Sequence, residues 1–123
     1  MNQSLSRADL LLHAAIEGEA SDPPVTPAQG ECWLVSDTPT GSWVGHAGEL
    51  AGWQAGTWLF VTARDGMRVL DRSSGQLILY NGAWQRPVAP NSASGGAVAD
   101  VEARDMLDSL ISSLRIAGIF PAV

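Results

Sequence analysis

The chain has 123 residues, 46% apolar and 16% charged, with a formal net charge of −6. It has no lysine and only seven scattered arginines, which argues against a nucleic-acid partner or an anionic membrane surface, since both need clustered basic charge. No apolar run approaches the ~20 residues of a membrane span, and the N-terminus lacks a signal-peptide core.

In chain order, Leu5, Ala8, Leu11, Leu12, Ala15 and Ile16 recur at three- and four-residue spacing, with Ser6 and Asp9 as a capping pair; the spacing predicts a helix within residues 1–20. Its apolar side, Leu5, Leu11, Leu12 and Ile16, reads as a docking face for a neighbouring protein, the alternative being packing on the chain's own sheet. His13 falls on its polar side. Three prolines between Pro23 and Pro27 forbid helix and predict a linker over residues 21–30. Residues 31–86 then read as a Trp- and Gly-rich antiparallel β domain. The expected strands are 31–35, 42–44, 49–53, 57–62, 67–71, 76–80 and 83–85, punctuated by glycine turns, which implies a hairpin meander closed as a small barrel or sandwich.

All five tryptophans fall in this domain, at 33, 43, 53, 58 and 84. Two phrases repeat the order aromatic, turn, Gly, Trp: Trp53 to Trp58, and Tyr80-Asn81-Gly82-Ala83-Trp84. Asn81-Gly82 predicts a two-residue hairpin turn, and the longer copy predicts a three- to five-residue loop. Each aromatic pair would then face across its hairpin. Cys32 lies in a strand-like run and reads as a buried structural thiol.

Residues 87–99, rich in Ala, Ser, Gly, Pro and Asn, predict a flexible linker. The last element, within 100–120, is a helix with Asp100 as its cap, Arg115 near its end, Gly118 as the C′ residue and Pro121 beyond. Ala103, Leu107, Leu110, Leu114 and Ala117 step by four, three, four and three, a seam of about two heptads widened by Met106 and Ile111. Such a short helix is marginal alone, so it either docks back on the β domain or bundles with copies of itself; in the second and preferred case Leu107, Leu110, Ile111 and Leu114 read as the interface of a homo-oligomer.

No cluster of metal-ligand spacing and no nucleophile, phosphate-loop or dinucleotide motif is present, so a non-enzymatic protein without a cofactor is expected. Trp43, flanked by Ser42, His46, Glu49 and Asp37, is the expected place for sugar stacking, with His46 beside it; filling of the core is the other use of such tryptophans.

The run Pro23-Pro24-x-x-Pro27-Ala28-x-Gly30-x-Cys32-Trp33-Leu34-Val35, then Pro39-Thr40-Gly41-Ser42-Trp43-Val44-Gly45-His46-Ala47-Gly48, then the Trp53/Trp58 hairpin and Asp65-Gly66-Met67, resembles an uncharacterised domain family of phages, prophages and gene transfer agents of alphaproteobacteria. The likeness spans roughly residues 5–86, and the Gly-x-Trp-x-Gly-His-x-Gly core (Gly41 to Gly48) is its most specific part. The closing helix is similar to the terminal helix of many phage fibre-type proteins of the same group. The resemblance implies a virion component made in the bacterial cytoplasm: a subunit of a head spike or tail fibre, three-fold like many fibres, bound to capsid, tail or fibre proteins. Because no enzyme-like or β-helical region follows the helix, a short adaptor is expected. The rival expectation is a carbohydrate-binding module for a host surface polysaccharide.

Overall fold

Cys32-Trp33-Leu34-Val35 is apolar without alternation, and a strand of that kind needs cover on both faces. It becomes strand β3 (Cys32–Val35) of a mainly β protein. The computed structural model describes residues 3–12, 14–92, 95 and 100–122. The other elements are α1 (Gln3–Leu11), β1 (Ala15–Ile16), β2 (Glu19–Ala20), β4 (Leu50–Gln54), β5 (Thr57–Val61), β6 (Arg68–Asp71), β7 (Gln76–Tyr80), β8 (Trp84–Gln85) and α2 (Val101–Ile116). They form two four-stranded sheets, β1-β6-β7-β8 and β2-β3-β4-β5, and no closed barrel. Among the described residues, no helix is long and apolar enough to cross a membrane.

Successive strand side chains point to opposite faces, and β3 and β4 use both. Cys32, Leu34 and Leu50 turn inward to a core shared with Ile16, Val69 and Ile78 of the first sheet. Trp33, Val35 and Ala51 turn outward to a second layer with Trp43, Trp58 and Phe60. The first sheet buries Val69, Asp71, Gln76 and Ile78 on its inner face, while Leu70 and Leu77 on the other face are partly exposed, Leu77 lying against Gly118.

The segment 14–20 corrects the expected N-terminal helix. α1 ends at Leu11, and the chain then runs extended through both sheets. β1 pairs in parallel with β6, and β2 in parallel with β3. Among the described residues five backbone bonds carry the crossover: Leu70 N–H to Ala14, Arg72 to Ile16, Glu17 to Cys32, Leu34 to Gly18 and Ser36 to Ala20. Ile16 is therefore a strand residue with no exposure, not part of a docking helix. Leu5 and Leu11 on α1 and Leu12 just after it are exposed, and Leu10 is the residue that α1 buries. It seats over Gly52, where an added Cβ would lie 2.7 Å from Leu10 Cδ1. His13 lies outside the described residues.

The expected linker 21–30 lies against the second sheet. Thr40 N–H bonds to the Ser21 carbonyl, the Ser21 and Ser36 hydroxyls meet at 2.6 Å, and Thr40 Oγ1 bonds to Asp22. Prolines bar helix, yet an extended proline segment packs well on aromatic rings. The expected strand 42–44 is instead a 3-10 turn, Gly41–Trp43, that drops Trp43 into the outer layer.

The two hairpins exchange their expected loops. Trp53 pairs with Trp58 and Gln54 with Thr57, leaving the two-residue turn Ala55-Gly56 with φ of 53° and 75°, as a type I′ turn requires. Tyr80 pairs with Trp84 across three residues, with φ positive at Gly82. Parity decides this: four residues between paired aromatics allow one more pair and a two-residue turn, and three do not. Both aromatic pairs are edge-to-face, at 5.0 and 5.2 Å.

α2 has the ends its sequence specifies. The Asp100 carboxylate accepts the Ala103 N–H at 3.0 Å. Gly118, at φ 80°, donates to the Arg115 carbonyl and Ile119 to that of Leu114, which is the Schellman arrangement. The chain then returns to the first sheet: Leu77 N–H bonds to Gly118, Ala122 N–H to Ser74, and Gln76 Nε2 to the carbonyls of Ile119 and Pro87. Of the expected linker 87–99, Ser92 bonds to Asp108 and the Gly95 carbonyl to Arg104.

Candidate functional site

The outer layer of the second sheet gathers four of the five tryptophans. Trp43 contacts Trp58 edge-to-face at 5.2 Å, and Trp58 contacts Trp53 in turn. Trp43 has no exposure, so it offers no ring face to a sugar and the expected stacking site at Trp43 is corrected. Its Nε1 has no partner among the described residues, a cost of about 1–3 kcal/mol set against the burial of the whole indole. Trp43 enters the layer because the 3-10 turn swings its side chain under the loop. His46 is held rather than free. Its ring stacks on Phe60 at 3.5 Å and 3°, and Nδ1 meets Glu49 Oε1 at 2.7 Å. His46 therefore props the loop onto the sheet.

Half-buried tryptophans open on three grooves. Trp53 and Trp58, with Phe60, wall one of about 590 Å³ whose other side is Pro23, Pro24 and Pro27. Among the described residues its side-chain hydroxyls are those of Ser42 and Thr57. Trp84 and Tyr80 line a second, beside Glu19, Asp37 and Arg86. Trp33 lines a third, of about 560 Å³, with Glu17, Gln29, Glu31 and Arg72. The sequence reading passed over these four polar residues. The signal present was Glu31-x-Trp33, two positions apart and hence on one side of an extended chain.

The expected oligomer residues lie on one exposed element. α2 has no buried residue. Leu107 is 47% and Leu110 53% exposed, while Ile111 and Leu114 are half-buried beside Pro90 and Phe120.

Among the described residues, no group of three or more His, Cys, Asp or Glu side chains is placed to hold a metal ion. Burial, with the Glu17 charge adding to it, pushes the Cys32 thiol up to about 12, so it is a core group and a poor nucleophile at neutral pH. Residues 1–85 match the family described as a protein of unknown function, DUF2793. The chain belongs to the DUF2793 family. The match covers α1 and both sheets and stops before Pro87 and α2. No curated protein and no solved structure matches the chain.

Within the DUF2793 part, Asp71 is the most connected buried polar group. Its Oδ1 accepts from the Ser73 N–H and hydroxyl, and Oδ2 accepts from Arg86 Nη1 at 2.5 Å. Arg86 Nη2 continues to Glu19, so the cluster latches one sheet to the other. Burial alone would raise the Asp71 carboxyl, but the bonds from Ser73 and Arg86 outweigh it and hold the group below its ordinary value. A depressed carboxylate adds stability that is fully present above the unfolded value of about 3.9 and is lost as pH falls through the folded one. Asp71→Asn should therefore lower the urea midpoint strongly at pH 7, by an amount equivalent to about 3–5 kcal/mol for a broken buried pair. The gap to wild type should narrow below pH 4. A gap of constant size from pH 7 to pH 3 would show that the carboxylate charge is not what the latch uses.

Proposed function

We propose that this protein is a non-catalytic attachment subunit of a phage-like particle: a DUF2793 β module that presents a C-terminal helix for assembly with copies of itself. The observation that carries this reading is α2, a helix of 16 residues with none buried, whose seam leaves Leu107 and Leu110 exposed beside the half-buried Ile111 and Leu114. A helix of that length gains little stability in water without apolar cover. The backbone bonds from Gly118 and Ala122 to the first sheet fix where it leaves the module. Heptad spacing at Ala103, Leu107, Leu110 and Leu114 makes the seam self-complementary, which favours a second and third copy as its cover. The likeness of residues 5–86 to phage and gene-transfer-agent domains supplies the particle context, and adjoining capsid, tail or fibre proteins are the further partners. The exposed Leu5 of α1 and Leu12 just after it are the surface left for such a neighbour.

The test is to tag the chain in its own host and purify particles on a density gradient. The tagged chain should co-sediment with the particles in fixed ratio to the capsid protein. Its absence from the particle band while abundant in the lysate would overturn the reading.

A further inference from the structure

We propose that the groove where the two sheets meet, lined by Glu17, Gln29, Glu31, Trp33 and Arg72, binds a neutral hexose unit of a glycan. This goes beyond the assembly role, which uses other surfaces. The groove measures about 560 Å³, inside the usual range of roughly 300–1,000 Å³ for small-ligand sites. What separates it from the other two grooves is the combination of a fixed indole and uncommitted polar groups.

The indole is fixed by a two-point hold. Glu31 Oε1 accepts from Trp33 Nε1 at 2.7 Å, and Glu31 Oε2 accepts from the Ala28 N–H at 2.7 Å. The ring also lies over Gly18, with Cζ3 3.6 Å from where a Cβ would stand. An aromatic wall held in one orientation loses little freedom on binding, and the apolar C–H face of a pyranose suits it. The uncommitted groups sit on either side. Gln29 Oε1 accepts the Ala55 N–H, which leaves its Nε2 free to donate. Arg72 Nη1 bonds to Glu17 Oε1 at 2.8 Å, and its other N–H groups have no partner among the described residues. A guanidinium edge, a primary amide and a second carboxylate oxygen are the donors and acceptors that adjacent sugar hydroxyls pair with. The Pro-walled groove offers two hydroxyls only, and in the Trp84 groove Arg86 is already engaged by Asp71 and Glu19.

Charge selects the class of sugar. Two carboxylates and one guanidinium give the groove an excess of one negative charge, on a chain of net −6. Uronic and sialic acids are repelled, and neutral hexoses are not.

The experiment applies the native full-length chain to a printed array of neutral and acidic glycans, then titrates the best neutral glycan against tryptophan fluorescence. The expected result is saturable binding confined to neutral glycans. Gln29→Ala and Arg72→Ala, both exposed positions, should each weaken it roughly tenfold with unchanged circular dichroism and oligomeric mass. Trp33→Tyr, which keeps a ring but removes the donor that holds Glu31, should weaken it as well. Binding to no glycan, binding only to acidic ones, or neutral binding that Gln29→Ala and Arg72→Ala leave unchanged would each overturn the proposal. Because the same samples are weighed, loss of sugar binding with intact assembly separates this inference from the assembly role.

Discussion

Replacing Leu110 and Leu114 together with Asp should yield monomers if α2 is the proposed assembly surface. Leu110 is 53% exposed and Leu114 half-buried on a helix with no buried residue, so an intramolecular role would be small. In an oligomer the same side chains are knobs at a dry seam, where each buried leucine contributes roughly 1.5–3 kcal/mol. Two charges per helix, repeated in every copy, exceed what a seam of two heptads can absorb. Light scattering should show the mass of one chain, with the thermal transition of the β module retained. A double variant that keeps the wild-type mass would mean that α2 packs within its own chain.

Truncation at residue 20 should unfold the protein, whereas truncation at residue 8 should not. The longer deletion removes β1 and β2, the two parallel pairings that join the sheets, and with them the fully buried Ile16. Loss of Ile16 beyond Cβ alone costs about 2–5 kcal/mol, a large part of the ~5–15 kcal/mol that stabilises a domain. The shorter deletion leaves Leu10 and all of 14–20 in place. Near-ultraviolet circular dichroism and the cooperativity of urea unfolding check both. A cooperative transition after removal of residues 1–20 would show that the crossover segment is not what ties the sheets together.

The hairpins and the second helix were legible because their signals are local. Turn glycines, the cap at Asp100 and the stop at Gly118 act within a few residues of themselves. The crossover segment was not. Two bridges of two residues each are too short to show a period of two, and Leu10, Leu11, Leu12, Ala15 and Ile16 happen to keep helical spacing. Burial of Trp43 was hidden for a related reason: a 3-10 turn over three residues has no pattern of its own, and the orientation it gives the indole depends on Val35, Ala51 and Trp58 far along the chain. The groove at Trp33 joins residues from three separate stretches, and only the spacing of Gln29, Glu31 and Trp33 was local. Glu17 and Arg72 come together with them solely through the meeting of the two sheets.

The most direct test of the central claim, that α2 is an assembly surface, is the mass of the wild-type chain by sedimentation equilibrium. The expected result is a species of three times the chain mass of 12.9 kDa, dissociating on dilution. A single species of 12.9 kDa at every concentration up to the millimolar range would contradict it.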